Sequence, residues 1–460
     1  MTSTNLDLPD NTAIMDRVRG ALIGSALGDT MGLYTEFLTP QMAKKYYPTQ
    51  EFSLVEPVTK LYQDYHRARF EPRAWTDDTD HTLLIILSYL REGRLNPDDF
   101  AKRLRIWCEQ GLLVLNRLPM GLGNTVGSVV LDPSYLSHPT QTAYEKWIKS
   151  GKQIAPNGSV MRTVPIGIIC LNPAAAEGSD IEIHTFEQAL KMGSVTHVDP
   201  RCGLSVVIVS ALVRLLCLDQ IRNEKDIDAL LERAWTYVSH KYRFVAEENR
   251  DSCGDGSGSS SSLSSNPSER GDPLEGGGMN RKDFEKHVYA KTLDELKLAD
   301  SRTIGYTYKC LGSGIWCLRQ VLKRRETFKS AMIKLIMCGG DADTNGAVAG
   351  GLMGALVGWE NLPEEWRDGM KHREWYNGKI DQLGVVLGLR EGEGYERLED
   401  RDTEMDGGKG MLGEEEIKKR EMEVMERILL AEKKRAEDAE KEMNAAKKST
   451  WYESISFRLS

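Results

Sequence analysis

The residues of this 460-residue chain best suited to chemistry are four aspartates in two short clusters far apart along the sequence. The first cluster is W-T-D-D-T-D-H, where Thr76, Asp77 and Asp78 lead into a stretch from Thr82 to Leu90 that is apolar almost all the way round. The second is G-G-D-A-D-T-N, where Asp341, Asp343 and Thr344 lead into a similar run from Ala347 to Leu356. A helix hydrophobic on every face is a buried helix, so both clusters are predicted at the mouths of core helices. One Asp or Thr per helix would serve as an N-cap contributing about 0.5–2 kcal/mol. Four carboxylates there would repel and desolvate one another unless cations compensated them. Carboxylates and threonine hydroxyls are oxygen ligands suited to Mg²⁺ or Mn²⁺, and the pattern predicts a cation centre, on condition that the two clusters meet in space.

Two rival readings fail on spacing. Asp341 to Gly346 copies the opening of an EF-hand loop, but the twelfth position, which needs a bidentate Glu, is Leu352. The run G-L-G-N-T-V-G at 121–127 has the wrong glycine spacing for a dinucleotide loop, and no strand leads into it.

The elements that must hold these residues read as helices. From 12 to 390, long apolar stretches at helical spacing alternate with short polar turns, and strand-like alternation is rare, which predicts an all-α domain. The first predicted helix carries Gly20, Gly24 and Gly28 on one face; each glycine costs about 1 kcal/mol of helix propensity, so the row needs a reason. That reason is either close packing of another helix or approach of the backbone to a ligand near Gly28. Residues 248–282, rich in Gly, Ser, Asp and Glu, read as a disordered surface insertion. Residues 391–460 read as a charged tail, mostly one long helix. Its hint of an apolar stripe at Ile417, Val424 and Ile428 allows a helical protein partner.

A net charge of −9 leaves no basic face for nucleic acid. The longest apolar tract, ending near Leu218, is broken by Arg214 and short for a bilayer, so no membrane span is expected. Eight scattered cysteines without a C-x-x-C pair, and no secretory signal pattern at the start, point to the cell interior, cytoplasmic or nuclear.

The ordered set of motifs resembles the ADP-ribosylglycohydrolase family. The set comprises R-G-A-L-I-G-S-A-L-G-D at 19–29, Glu36 in G-L-Y-T-E-F, T-D-D-T at 76–79, G-N-T at 123–125, N-G-S-V-M-R at 157–162, S-V-T-H at 194–197, I-G-Y at 304–306 and G-G-D-A-D-T at 339–344. The resemblance implies an all-α fold whose central cleft holds two divalent cations, and hydrolysis of the bond between ADP-ribose and an acceptor on a protein or related conjugate. It implies metal ligation by Thr76, Asp77, Asp78, Asp341, Asp343 and Thr344, with Asp77 and Asp78 serving the activated water. Glu36 stands beside the metals as the residue expected to transfer a proton. Gly123, Asn124, Asn157, Gly158, Ser159, His197 and Tyr306 fall where the substrate is contacted, with Tyr306 expected to stack on a base or ribose. Arg162 is expected either to touch substrate or to pin its loop to a carboxylate.

The pattern departs from the family at Tyr34, at Ala342 and at Pro156, which fixes its own φ and lacks an N–H that could face a phosphate. The alternative is a non-catalytic, ADP-ribose-binding or structural member of the same fold, against which the complete ligand set speaks. A scaffold acting through its tail is the remaining competitor.

Overall fold

The computed structural model describes residues 9–172, 178–251, 279–392 and 394–456. Among these there are eighteen α-helices and no strand, only two isolated β-bridges, so the all-α expectation holds. Most of the expected insertion lies outside the described residues. Its two ends do not: residues 248–251 close the helix Glu224–Asp251, and Met279 is buried ahead of Arg281–Val288, which Asn280 caps through the Asp283 N–H.

The core is built on two antiparallel helices, Asn11–Gly32 and Ala342–Val357, and the glycine row explains their union. Gly20, Gly24 and Gly28 face Gly354, Gly350 and Gly346, a second row four apart on the partner helix. A Cβ on Gly24 would lie 2.5 Å from the Gly350 carbonyl oxygen, and one on Gly28 1.9 Å from that of Gly346. Close packing, not ligand approach, is therefore what the row provides. At its end Gly32 lies against the Ala342 and Asp343 backbone, so the contact also fixes the height of the second aspartate cluster. Gly24→Val is expected to lower unfolding free energy by about 3 kcal/mol or more, because two backbones must separate. Gly378→Ala, in a helix where a Cβ meets nothing within 4 Å, should gain about 0.5–1 kcal/mol. Urea denaturation of both variants checks the contrast.

The helix Pro200–Cys217 is long and apolar enough to cross a membrane, yet 89% of it is buried inside the fold, as the second layer beneath the glycine pair. Asp77–Glu92 packs against the same core and stops at Gly93, whose φ of +72° suits a residue without a side chain.

Residues 395–403 are tied to the domain. Asp400 accepts from Lys379 Nζ at 2.8 Å and from the Tyr395 hydroxyl at 2.6 Å, and Asp402 accepts from the Trp375 indole at 2.8 Å. The tail helix, Glu414–Ser456, also lies on the domain: Val424, Ile428 and Ala431 are buried, beside the turn Arg67–Arg69. The stripe hinted at in the sequence thus packs within the chain. Met422, Met425, Leu429 and Leu430 stay exposed.

Candidate metal centre and substrate cleft

The two aspartate clusters meet. Thr76 caps Asp77–Glu92, but its side chain accepts no helix N–H. The capping is done by Asp29, at the end of the first helix, which accepts from the Thr76 N–H at 2.8 Å and the Thr79 N–H at 3.0 Å, and from both hydroxyls at 2.8 and 2.6 Å. With the helix end satisfied from below, the Asp77 and Asp78 carboxylates are free for other work. Thr76 Oγ1 lies 3.2 Å from Asp78 Oδ2 and 3.4 Å from Asp343 Oδ2, which joins one cluster to the other. Thr344 hydrogen-bonds Asp78 from the opposite helix.

Glu36 arrives by a backbone clamp. Phe37, at φ +57°, donates its N–H to the Gly340 carbonyl at 2.6 Å, and Gly340 returns its own to Leu38 at 3.1 Å. Gly339 and Gly340 hold φ near +65° and +72°, and a Cβ on Gly339 would fall 2.0 Å from the Leu38 carbonyl oxygen, which only glycine avoids. The buried Arg67 fastens the other side of this turn through the Tyr34 and Glu36 carbonyls. As a result Glu36, Asp341 and Asp343 bring one carboxylate oxygen each within 4.8 Å of one another. Asp77 is set against the loop backbone at Gly121, where a Cβ would lie 2.0 Å from Asp77 Oδ1.

This acidic centre lacks protein counter-charge. Among the described residues no Lys or Arg lies within 4 Å of the carboxylates of Asp29, Glu36, Asp77, Asp78, Asp341 or Asp343, and only His66 does so at Glu36, at 2.5 Å. Asp78 Oδ1 is buried without a hydrogen-bond partner. Burial pushes the Asp341 carboxyl up to about 6, as it does Asp29. Asp77, Asp78 and Asp343 are driven well above the usual carboxylate range, first by burial and then by neighbouring carboxylates, led by Asp78, Asp29 and Glu36 respectively. Hard oxygen donors, an orphaned carboxylate oxygen and missing counter-charge fit a divalent cation.

The residues expected to contact substrate have varied placements. Asn157, Gly158 and Ser159 follow a short bridge in which the Asn157 N–H meets the Gly305 carbonyl at 2.9 Å and the Thr307 N–H meets Ala155 at 3.0 Å. Pro156 sits within this bridge, opposite Tyr306. Asn157 spends its amide N–H on Asp341 Oδ2 at 2.7 Å, leaving its carbonyl oxygen beside Gly305. Ser159 Oγ is fully buried and unpartnered. Tyr306 gives its hydroxyl to Asp283 at 2.6 Å and packs beside His287 and Tyr308 with Arg201 over its ring, so the ring expected to stack on a ligand is held by the protein. Gly123 and Asn124 are exposed at the start of the helix Asn124–Val130, just after the loop that passes Asp77.

His197 lies directly under Gly158, whose Cβ would come within 3.2 Å of its Nε2. Arg162 Nη2 donates to Thr196 Oγ1 at 2.6 Å, and that hydroxyl lies 2.7 Å from His197 Nδ1. His197 Nε2 is buried without a hydrogen-bond partner. Burial, and after it the Arg162 charge, pulls the His197 pKa down to about 3, so the ring is neutral. Arg162 finds no carboxylate among the described residues: its guanidinium lies 4.9 Å over the Phe100 ring and serves the histidine through Thr196.

Two members of the centre escaped sequence reasoning. Asp29 closes a quoted motif, R-G-A-L-I-G-S-A-L-G-D, and its position after a helical glycine row was the available signal. His66 carries no local signal, since its partner Glu36 lies across an irregular loop.

The family described as ADP-ribosylglycohydrolase matches residues 10–393, most of the chain. The chain belongs to that family. It is an enzyme of the hydrolase class that the family defines, and the resemblance read from the motifs holds. It is 23% identical over 381 residues to an ADP-ribosylarginine hydrolase Tri1 of Serratia proteamaculans, covering 82% of this chain and 81% of that one. It is 24% identical to the ADP-ribosyl-[dinitrogen reductase] glycohydrolase of Rhodospirillum rubrum, covering 82% and 98%. To the ADP-ribosylhydrolase ARH3 of Xenopus tropicalis it is 26% identical, covering 80% and 96%. Among solved structures, a chain of an ADP-ribosylglycohydrolase-related protein complex aligns over 82% of this chain and 99% of its own, at 20% identity and a TM-score of 0.47.

Proposed function

We propose that this family member hydrolyses the bond between the distal ribose of ADP-ribose and an acceptor, on a modified protein or related conjugate, with two divalent cations, Mg²⁺ or Mn²⁺. The observation that carries the reading is the meeting of Thr76 and Asp78 with Asp341, Asp343 and Glu36 in one largely buried centre, with no Lys or Arg counter-charge within 4 Å among the described residues. Thr76, Asp77, Asp78, Asp341, Asp343 and Thr344 would hold the cations, with Glu36 at their edge.

Breaking a ribosyl bond passes through an oxocarbenium-like transition state, so water must be activated and the sugar held still. Bound cations supply Lewis-acid polarisation of water and of ribose hydroxyls. Glu36 takes the proton from the attacking water as the bond from the ribose carbon to the acceptor breaks; the acceptor leaves with that electron pair and takes a proton from solvent, to which Glu36 then returns its own. His66 fixes the Glu36 carboxylate in this orientation. Arg69 Nη2 donates to His66 Nδ1 at 2.7 Å, which leaves Nε2–H to donate to Glu36. His197 supports the Gly158 turn from beneath, and Arg162 with Thr196 holds its ring in place.

Calorimetric titration of ADP-ribose into cation-stripped protein, with and without added Mg²⁺, tests the reading. Adding the cation should produce a binding event that is absent from cation-free protein and lost in Asp341→Ala. A folded protein whose titration is unchanged by the cation would sink it.

A further inference from the structure

Four arginines meet at the seam between tail helix and domain, and only Arg69, through His66, has a part in this chemistry. Arg69 and Arg117 come from the domain and Arg420 and Arg427 from the tail; with Glu71 and Glu423 they line a cavity of about 350 Å³. Guanidinium groups stay charged at any ordinary pH, so cations outnumber anions there. Two of the arginines keep buried Nη1 donors without acceptors. Arg117, its side chain only 10% exposed, gives Nη2 to the Trp75 carbonyl at 2.7 Å and lies 3.3 Å from the Asp80 carboxylate, yet its Nη1 is buried and unpartnered. Arg420 gives Nε to Glu416 at 2.9 Å, and its Nη1 is likewise buried and unpartnered. Leaving such groups unsatisfied is unfavourable, and Glu71 does not relieve it. That carboxylate is engaged by Lys371 at 2.9 Å, and its pKa is held down to about 2 by His372, Lys371 and Arg117.

We propose that this seam binds a phosphate or diphosphate group, at a site made jointly by the tail helix and the domain and separate from the metal centre. Several guanidinium forks converging on one cavity match the oxygens of a phosphate, which accept paired N–H donors. The site adjoins the cleft by two routes. Arg69 touches His66, which holds Glu36; Met120, another wall of the cavity, precedes Gly121, which lies against Asp77. The phosphate belongs either to the diphosphate of a nucleotide conjugate crossing the rim or to a free inorganic anion. Its place beside Glu36 rests on the proposed hydrolase reading, whereas binding itself does not.

The test is calorimetric titration of inorganic pyrophosphate into the full chain, stripped of divalent cations so that the metal centre has no cation to hold the probe. Wild type and Asp341→Ala should each bind one equivalent, and the Arg420→Ala, Arg427→Ala double variant should bind at least ten-fold more weakly. Arg427 is exposed, so Arg427→Glu alone leaves the core untouched and should also weaken binding. ADP-ribose in the same cation-free buffer separates the sources. Binding sensitive to Arg427→Glu assigns the diphosphate of a nucleotide, and binding of pyrophosphate without ADP-ribose assigns a free anion. Absence of saturable pyrophosphate binding to wild type, or binding indifferent to both Arg427→Glu and Arg117→Met, overturns the proposal. Since Asp341→Ala has lost a metal-centre carboxylate, its result separates this outcome from failure of the hydrolase reading.

Discussion

Replacing Glu36 by Gln is expected to lower kcat by about 100- to 10,000-fold, the range in which a positioned general acid or base contributes, while a divalent cation still binds. Gln keeps the length of the side chain, and its carbonyl oxygen can still accept from His66, so the clamp of Phe37 and Leu38 on Gly340 should survive. What is lost is the ability to take a proton. Single-turnover hydrolysis of an ADP-ribosylated substrate, paired with calorimetry of the cation, separates the two effects. Near-normal turnover with cation bound would reduce Glu36 to orienting its neighbours. His66→Ala should act in the same direction more weakly, because it frees the Glu36 carboxylate without removing it.

Asp343→Asn should have opposite effects on activity and on stability. Loss of outer-shell partners alone typically weakens metal binding about 10- to 100-fold, so removing a direct ligand should weaken Mg²⁺ or Mn²⁺ by more than about 100-fold and abolish hydrolysis with it. Yet the cation-free variant should melt at a higher temperature than cation-free wild type at pH 7.5. Burial and the charges of Glu36, Asp341, Asp78 and Asp29 drive the Asp343 carboxyl well above its ordinary range, so its ionisation opposes folding, and Asn removes that cost.

The same linkage gives a sign for pH. Asp341 and Asp29 have folded values near 6, above the ordinary value of 3.8. Between about pH 4 and 6 the folded state therefore holds more protons than the unfolded one. The stability these groups contribute is fully present below the unfolded value and is lost as pH rises through 6. Cation-free wild type should gain thermal stability as pH falls from 7.5 towards 5, the slope should be shallower in Asp343→Asn, and saturating Mg²⁺ should flatten it in wild type only. Differential scanning calorimetry at three pH values decides this; a metal-free protein that loses stability equally with the variant on acidification would contradict it.

By itself the sequence determined the parts that local chemistry encodes. Two Asp-Thr clusters ahead of runs hydrophobic on all sides could only be the mouths of buried helices. An uncompensated set of carboxylates there called for cations, and helical spacing throughout gave the all-α class. The glycine row announced a close approach, because its propensity cost needed a return. Its partner row, Gly346, Gly350 and Gly354, was equally visible in the sequence, but the pairing of the two is a contact between chain ends that no local pattern specifies.

Only the tertiary structure decided what depends on distance between remote segments. That Glu36 joins Asp341 and Asp343 follows from the clamp of its turn onto Gly339 and Gly340. That Asp29 caps a helix other than its own follows from how the two helices cross. The surroundings of Tyr306 and Arg162 illustrate the same limit. Motif position alone does not show that the Tyr306 hydroxyl meets Asp283 with Arg201 over its ring, or that Arg162 bonds Thr196 beside His197. The tail likewise read as one long charged helix, because three apolar residues among so many charges are a weak local signal; the burial of two of them, Val424 and Ile428, beside the Arg67–Arg69 turn depends on a surface assembled from elsewhere in the chain. Residue type and spacing fix which chemistry is available, and long-range packing fixes which side chains are left free to perform it.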